Sequence, residues 1–147
     1  MLPYLRLYLP HLNQYMDVEI FAICDAATAQ GAKINILGAF NILWSDQAPI
    51  LAPSCALAAR IRFDAQEAGQ KTVRLVISDL SGAQLFELST SIEVRFRPNQ
   101  PVANVQIVLQ RPRFVLPQFG EYQIRLEIDG QTVKSLRLFA KQRSQTA

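Results

Sequence analysis

The chain has 147 residues, half of them hydrophobic and 18% charged, with a net charge of +3. That length gives one domain with a real hydrophobic core, and the composition excludes a disordered chain. The charge excess is too small for a dedicated nucleic-acid binder, and no apolar stretch is long and unbroken enough for a membrane-spanning helix.

Residues 1–15 stand apart. Met1–Pro10 carries two prolines and one charge, Arg6, without a small-residue cleavage site, which is not the pattern of a secretory signal. Regular alternation begins at Asp17, directly after Met16, so these residues are expected to be an N-terminal extension ahead of a start at Met16. Next comes Asp17–Cys24, apolar on both faces after Glu19. Asp25–Gly31 is expected to be a turn, with Asp25 capping local amides and Gly31 free to take positive φ. Lys33–Trp44 then places Ile34, Ile36, Phe40, Ile42 and Trp44 on one face of a strand. Gly38 in its middle marks a bulge, a bend or a close backbone approach.

Ser45–Pro53 is a loop. Cys55, Leu57, Ala59, Ile61 and Phe63 alternate with Ala56, Ala58, Arg60 and Arg62. A polar turn over Asp64–Gln70 leads to an inward face of Val73, Leu75 and Ile77, and Ser78–Gly82 is the next turn. Leu85–Arg97 is the longest expected strand, ended by Pro98 and Pro101 because proline cannot donate to a ladder. Val105, Ile107 and Leu109 open another strand, broken at Arg111-Pro-Arg113. Leu116–Gly120 turns the chain into a closing hairpin around Asp129-Gly130, the strongest short-range hairpin signal in the chain.

Parity sharpens that hairpin. A plain two-residue turn puts Ile124 opposite Ser135 and sends Leu136 and Leu138 to the wrong face. One extra residue puts Ile124 opposite Leu136 and Tyr122 opposite Leu138. Burying four apolar side chains at roughly 1.5–3 kcal/mol each outweighs any preference between turn types. A three-residue loop or an equivalent bulge is therefore expected, with Gly130 or its neighbour at positive φ.

Eight short strands, separated by Gly, Pro and Asp turns, predict an all-β fold: a single-domain antiparallel β-sandwich over residues 16–141, with 142–147 as a tail. Two-sided burial of Ile20–Cys24 and Ile36–Leu43 predicts a cover on an outer sheet face, supplied by the N-terminal extension or by a second copy. Cys24 and Cys55 are too few for a disulfide-stapled secreted fold, although a bridge between them stays open. A cytoplasmic protein is expected.

Ile20-Phe-Ala-Ile-Cys-Asp-Ala26, Gly31-Ala-Lys-Ile-Asn-Ile-Leu-Gly-Ala-Phe40, Gly120-Glu-Tyr122 and Leu126-Glu-Ile-Asp-Gly130 resemble the recurring pattern of a bacterial family of small uncharacterised proteins. The resemblance covers roughly residues 16–141 and departs at Arg111-Pro-Arg113. It implies the all-β fold and the start at Met16, and the family has no assigned activity to carry over.

The chemistry is sparse. His11, the one histidine, lies in the extension, so the chain lacks the base that nucleophilic catalysis usually needs, and the histidine ligands of a usual zinc site. No enzyme activity, cofactor or metal is expected. Asp25, Asp46, Asp64, Asp79 and Asp129 fall in expected turns as single acids, where aspartate usually bonds the backbone and calcium sites want clusters. No phosphate-binding glycine motif occurs. Eleven of the fifteen cations are arginine. Arg60/Arg62, Arg95/Arg97 and Arg111/Arg113 are each spaced by two, so each pair would share a strand face. On neighbouring strands they would line an anion-binding surface for phosphate, polysaccharide, nucleic acid or an acidic partner. The competing expectation is that Glu87, Glu93 and Glu127 neutralise them across strands. The reading that follows is a non-enzymatic interaction module with a protein partner, a second copy among the candidates. The alternative is a binder of an anionic ligand or nucleic acid.

Overall fold

The structure, a computed structural model, describes residues 16–144. The expected extension over residues 1–15 lies outside the described residues. In chain order the strands are β1 (Asp17–Gln30), β2 (Lys33–Phe40), β3 (Ile42–Ser45), β4 (Ile50–Leu51) and β5 (Ala56–Asp64). They continue as β6 (Gly69–Asp79), β7 (Gln84–Val94), β8 (Val102–Gln110), β9 (Val115–Leu116), β10 (Gly120–Ile128) and β11 (Gln131–Gln142). One 3-10 turn, Ala65–Glu67, joins β5 to β6.

Two sheets face each other, ordered β2-β1-β5-β8 and β3-β11-β10-β6-β7, with β4 and β9 forming a short ribbon between the loops. The fold is the expected all-β sandwich, with eleven strands rather than about eight. The excess comes from the two-residue strands β4 and β9 and from one expected strand that divides. Phe21, Ile23, Leu57, Ile61 and Phe63 of the first sheet meet Val73, Leu75, Ile77, Ile124, Leu126 and Leu138 of the second in one core.

Lys33–Trp44 is not one strand. The chain leaves the first sheet at Phe40, passes Asn41, and enters the second as β3, parallel to β11. The change of sheet shifts the phase: Leu43 is buried, and Trp44, expected inside, is 52% exposed with Lys141 over its ring. β7 begins at Gln84 and ends at Val94, so Arg95 and Arg97 follow the strand instead of closing it.

The expected turn over Asp25–Gly31 is also overturned. β1 runs through to Gln30, and only Gly31 and Ala32 make the turn to β2, Gly31 at φ +62°. The bend lies earlier, where Asp25 stands opposite Gly38. Gly38 holds φ +67°, and a Cβ there would overlap the Asp25 carboxylate. Beyond this point the β1–β2 hairpin doubles back over the outer face of its own sheet. Ala27, Ile34 and Ile36 pack on Cys24, Ala56, Ala58 and Val108. Gln110 Nε2 donates to Ala27 O at 2.6 Å, while Arg60 Nη1 and Gln106 Nε2 donate to Ala32 O at 2.7 and 3.3 Å. The expected cover therefore exists, and among the described residues it is the chain's own hairpin. Its upper face is open: Leu37 is 70% exposed, so the two-sided burial expected of Ile36–Leu43 does not occur.

The closing hairpin takes the expected register. Ile124 pairs with Leu136, Tyr122 with Leu138 and Gln123 with Arg137. Asp129 and Gly130 form a two-residue turn with φ +49° and +82°, and Val133 is the extra residue of a bulge between the Leu126 and Glu127 pairs. Both glycine-like dihedrals match the turn whose twist suits a hairpin, and the bulge restores the parity. At the other end of β10, Tyr122 OH donates to Gln118 O at 2.6 Å and accepts from Gln118 N–H, a tyrosine corner tying strand to loop.

Candidate functional site

Alternation along β5 sends Arg60 and Arg62 to the outer face, Arg60 beneath the tip of the folded hairpin. β1 carries a bulge at Glu19, between the Val18 and Ile20 pairs. Glu19 meets Arg60 at 2.9 Å and Arg62 at 3.7 Å, and Asp17 lies 4.0 Å from Arg62. Arg60 and Arg62 are thus engaged, Arg60 in holding the hairpin tip. Arg95 is exposed and paired with Glu93 at 2.8 Å, a bond that holds the Glu93 carboxyl below its ordinary value.

Arg97, Arg111 and Arg113 have no ion pair among the described residues. Arg97 lies in the loop that carries the chain from β7 in the second sheet to β8 in the first. Arg111 follows β8, its N–H donating to Cys55 O, beyond the start of β5 and several residues from Arg60. At about 3.3 Å per residue that separation exceeds the reach of one shared ligand. Arg60/Arg62 and Arg111/Arg113 therefore do not share one surface, and Arg95 is paired with Glu93. Of the three acids expected to neutralise these arginines across strands, only Glu93 pairs with one, Arg95, and it does so two residues away along its own chain.

Glu87 and Glu127 serve other arginines. On the outer face of the second sheet, Arg74 bridges Glu87 at 2.7 Å and Glu127 at 3.0 Å. Arg125 reaches Glu127 at 3.5 Å and Ser78 Oγ at 2.9 Å, and Arg137 pairs with Glu121. The hydrogen bond from Arg74 draws the Glu87 carboxyl down, and Arg74 itself is raised, first by Glu87 and then by Glu127. Sequence reasoning missed this array; its signal was Arg125-x-Glu127, two opposite charges on one strand face.

At one end of this face lies a shallow cleft of about 320 Å³, lined by Ser78, Asp79, Glu121, Tyr122, Arg125 and Arg137 among others. Its acids are occupied. Asp79 Oδ1 accepts from the Ser81 hydroxyl and from the Ser81 and Ala83 N–H groups. These bonds, the hydroxyl foremost, hold Asp79 below the ordinary carboxylate range. Glu121 is held by Arg137, and Ser78 faces a guanidinium instead of a base. Among the described residues no three His, Cys, Asp or Glu gather as metal ligands. Asp129 also serves the backbone, accepting from Thr72 N–H at 2.8 Å. No helix of the described residues is long and apolar enough to cross a membrane.

A different surface carries exposed apolar side chains. The extended segment from Arg111 buries Pro112, Phe114 and Leu116 and turns Arg111, Arg113 and Val115 outward. Leu116 pairs with Ile50 inside, which places Val115 against Leu51 outside. Leu51 is 71% and Val115 44% exposed. Two apolar side chains and two unpaired cations thus lie along one ribbon. Nothing in the sequence separates these residues from inward ones, because the ribbon is too short to show a period.

A family model matches residues 19–141, that of a family of unknown function, DUF6941. No curated protein matches the chain. Among solved structures, the chain is similar to the alkylpurine DNA glycosylase AlkC of Pseudomonas fluorescens bound to DNA with an abasic-site analogue. The identity is 7%, the TM-score 0.46, and the coverage 86% of this chain and 30% of that one. A β-glucosidase from Listeria innocua with isofagomine gives 8% identity and TM-score 0.45 over 86% of this chain and 16% of that one. An immunoglobulin-like protein from Pseudomonas aeruginosa gives 9% and 0.39, over 88% of this chain and 99% of that one. The chain spans under a third of the first two proteins.

Proposed function

We propose that this chain, which belongs to the DUF6941 family of unknown function, is a non-enzymatic interaction module that binds a protein partner through the β4–β9 ribbon. The observation that carries this reading is the exposure of Leu51 and Val115 side by side, with Arg111 and Arg113 unpaired next to them. Elsewhere on the sandwich every described arginine except Arg97 is matched by an acid, so less is left there for a partner to gain. A monomer exposes single apolar residues freely, but an apolar pair rimmed by cations is what an interface core with a polar rim presents. The non-enzymatic part is supported by the cleft, whose acids are all engaged and whose serine lacks a base. A reducing compartment, the cytoplasm, suits two buried free thiols.

Among the described residues Arg111 and Arg113 are the arginine pair without acid partners, so an anionic ligand would have to be held there. The test uses the full chain as bait in lysate of its own cells, beside a Leu51→Asp/Val115→Asp variant. A partner that binds the parent but not the variant, with melting unchanged, supports the reading. A partner held equally by both places the interface elsewhere and overturns it.

A further inference from the structure

The folded-back hairpin is a covered surface with a hinge. Its contacts with the sheet below consist of small side chains, Cys24, Ala27, Ala56 and Ala58, closed by Ile34, Ile36 and Val108. Three side-chain donors hold its tip and flank through the carbonyls of Ala27 and Ala32. The bend falls where Asp25 and Gly38 stand opposite each other, between the pairs of Cys24 with Ala39 and Ala26 with Leu37. If both strands ran straight at that point, the hairpin would leave the molecule, and its apolar underside and the alanine floor would both be bare.

The bare floor is complementary in shape and in donors to the same hairpin from another molecule. We propose that the outer face of the first sheet is an exchange surface on which a second copy of this chain docks its β1–β2 hairpin, giving a reciprocal dimer. Each contact made within one chain is then remade between two: Ala27, Ile34 and Ile36 of one copy lie on Ala56, Ala58 and Val108 of the other. Arg60 and Gln106 bind the Ala32 carbonyl across the interface. Such an isologous exchange leaves the interface chemistry unchanged, so the balance rests on the bend and on concentration.

The bend is where the two forms differ. The closed form needs φ +67° at Gly38, with the Asp25 carboxylate where a side chain would begin. A straight strand needs neither, and it favours a β-branched residue. Gly38→Val therefore penalises the closed monomer and leaves the exchanged dimer unstrained.

The experiment measures mass by light scattering after size exclusion, on the full chain. Gly38→Val should run at twice the 16.5 kDa monomer mass and melt cooperatively. Adding Ile36→Asp, which puts a charge on the docking face, should return it to monomer. A monomeric, folded Gly38→Val overturns the proposal, and so does a dimer that survives Ile36→Asp. If Gly38→Val does not fold, the unsubstituted chain decides: refolded from urea, its dimer fraction should rise with protein concentration. Monomer at every refolding concentration overturns the proposal.

Discussion

Cys55 is buried, as its place on the apolar face with Leu57, Ala59, Ile61 and Phe63 leads one to expect. It sits in the inter-sheet core, and Cys24 lies under the hairpin with its Sγ 3.6 Å from Ala56 O. Both thiols are free. Burial first, then the neighbouring Cys24 and Asp25, pushes Cys55 up to about 11, and burial also raises Cys24. Since thiolate is the reacting form, neither should react with a disulfide reagent at pH 8 in the native protein, and both should after unfolding. Rapid native labelling would show that the hairpin or core opens readily. Arg60 makes a contrasting case. Its i+2 spacing from Arg62 was visible in the sequence, but its partners Glu19 and Ala32 were not, because they come from a bulge and a hairpin tip. Arg60→Gln should lower stability by about 1–2 kcal/mol through a lost ion pair and a charged hydrogen bond. On a heparin column Arg60→Gln/Arg62→Gln should elute with the parent, whereas Arg111→Gln/Arg113→Gln should elute earlier. Equal effects of the two pairs would mean that the hairpin latch is also an anion site.

Elements were legible where alternation was long and unbroken. The register of β10 on β11 follows from parity and apolar burial alone, and the structure meets it through the bulge at Val133. Deleting Val133 should therefore be severe: either Leu136 and Leu138 turn outward or the Asp129-Gly130 turn is lost. At roughly 1.5–3 kcal/mol per buried side chain, a urea midpoint near that of the parent would refute the parity argument. Tyr122→Phe, which removes only the corner bonds to Gln118, should cost about 1 kcal/mol. The reading failed at Asp25–Gly31 and at Lys33–Trp44 for one shared reason. A strand that bends over its own sheet, or crosses to the other, keeps local β-propensity while the direction of inside changes. Asp25 and Gly31 carry turn chemistry, but the bend lies at Gly38, which the sequence marks as a bulge, a bend or a close approach; what it approaches, Asp25, comes opposite it only once the strands pair. The ribbon of β4 and β9 left no pattern at all.

For the molecule as a whole, Asp79, Glu87 and Glu93 have folded-state values below their ordinary ones. The native state therefore binds fewer protons than the unfolded chain in the acid range. Their contribution is present above the ordinary carboxylate values, about pH 4, and is lost as pH falls through the depressed ones. Melting temperature should be flat around neutrality and drop below about pH 4, less steeply in Asp79→Asn. A fall beginning near neutrality would implicate other groups. The pairing of β3 with β11 has a consequence in time. Ile42, made early, finds its place only beside Phe139, near the end of the chain. While the chain is being synthesised, β1, β2 and β5 can already pair, but β3 has no neighbouring strand until β11 exists. Non-local pairings of this kind close late and slowly. A nascent chain halted before Gln131 would keep Trp44 and the open side of β10 available to any other strand.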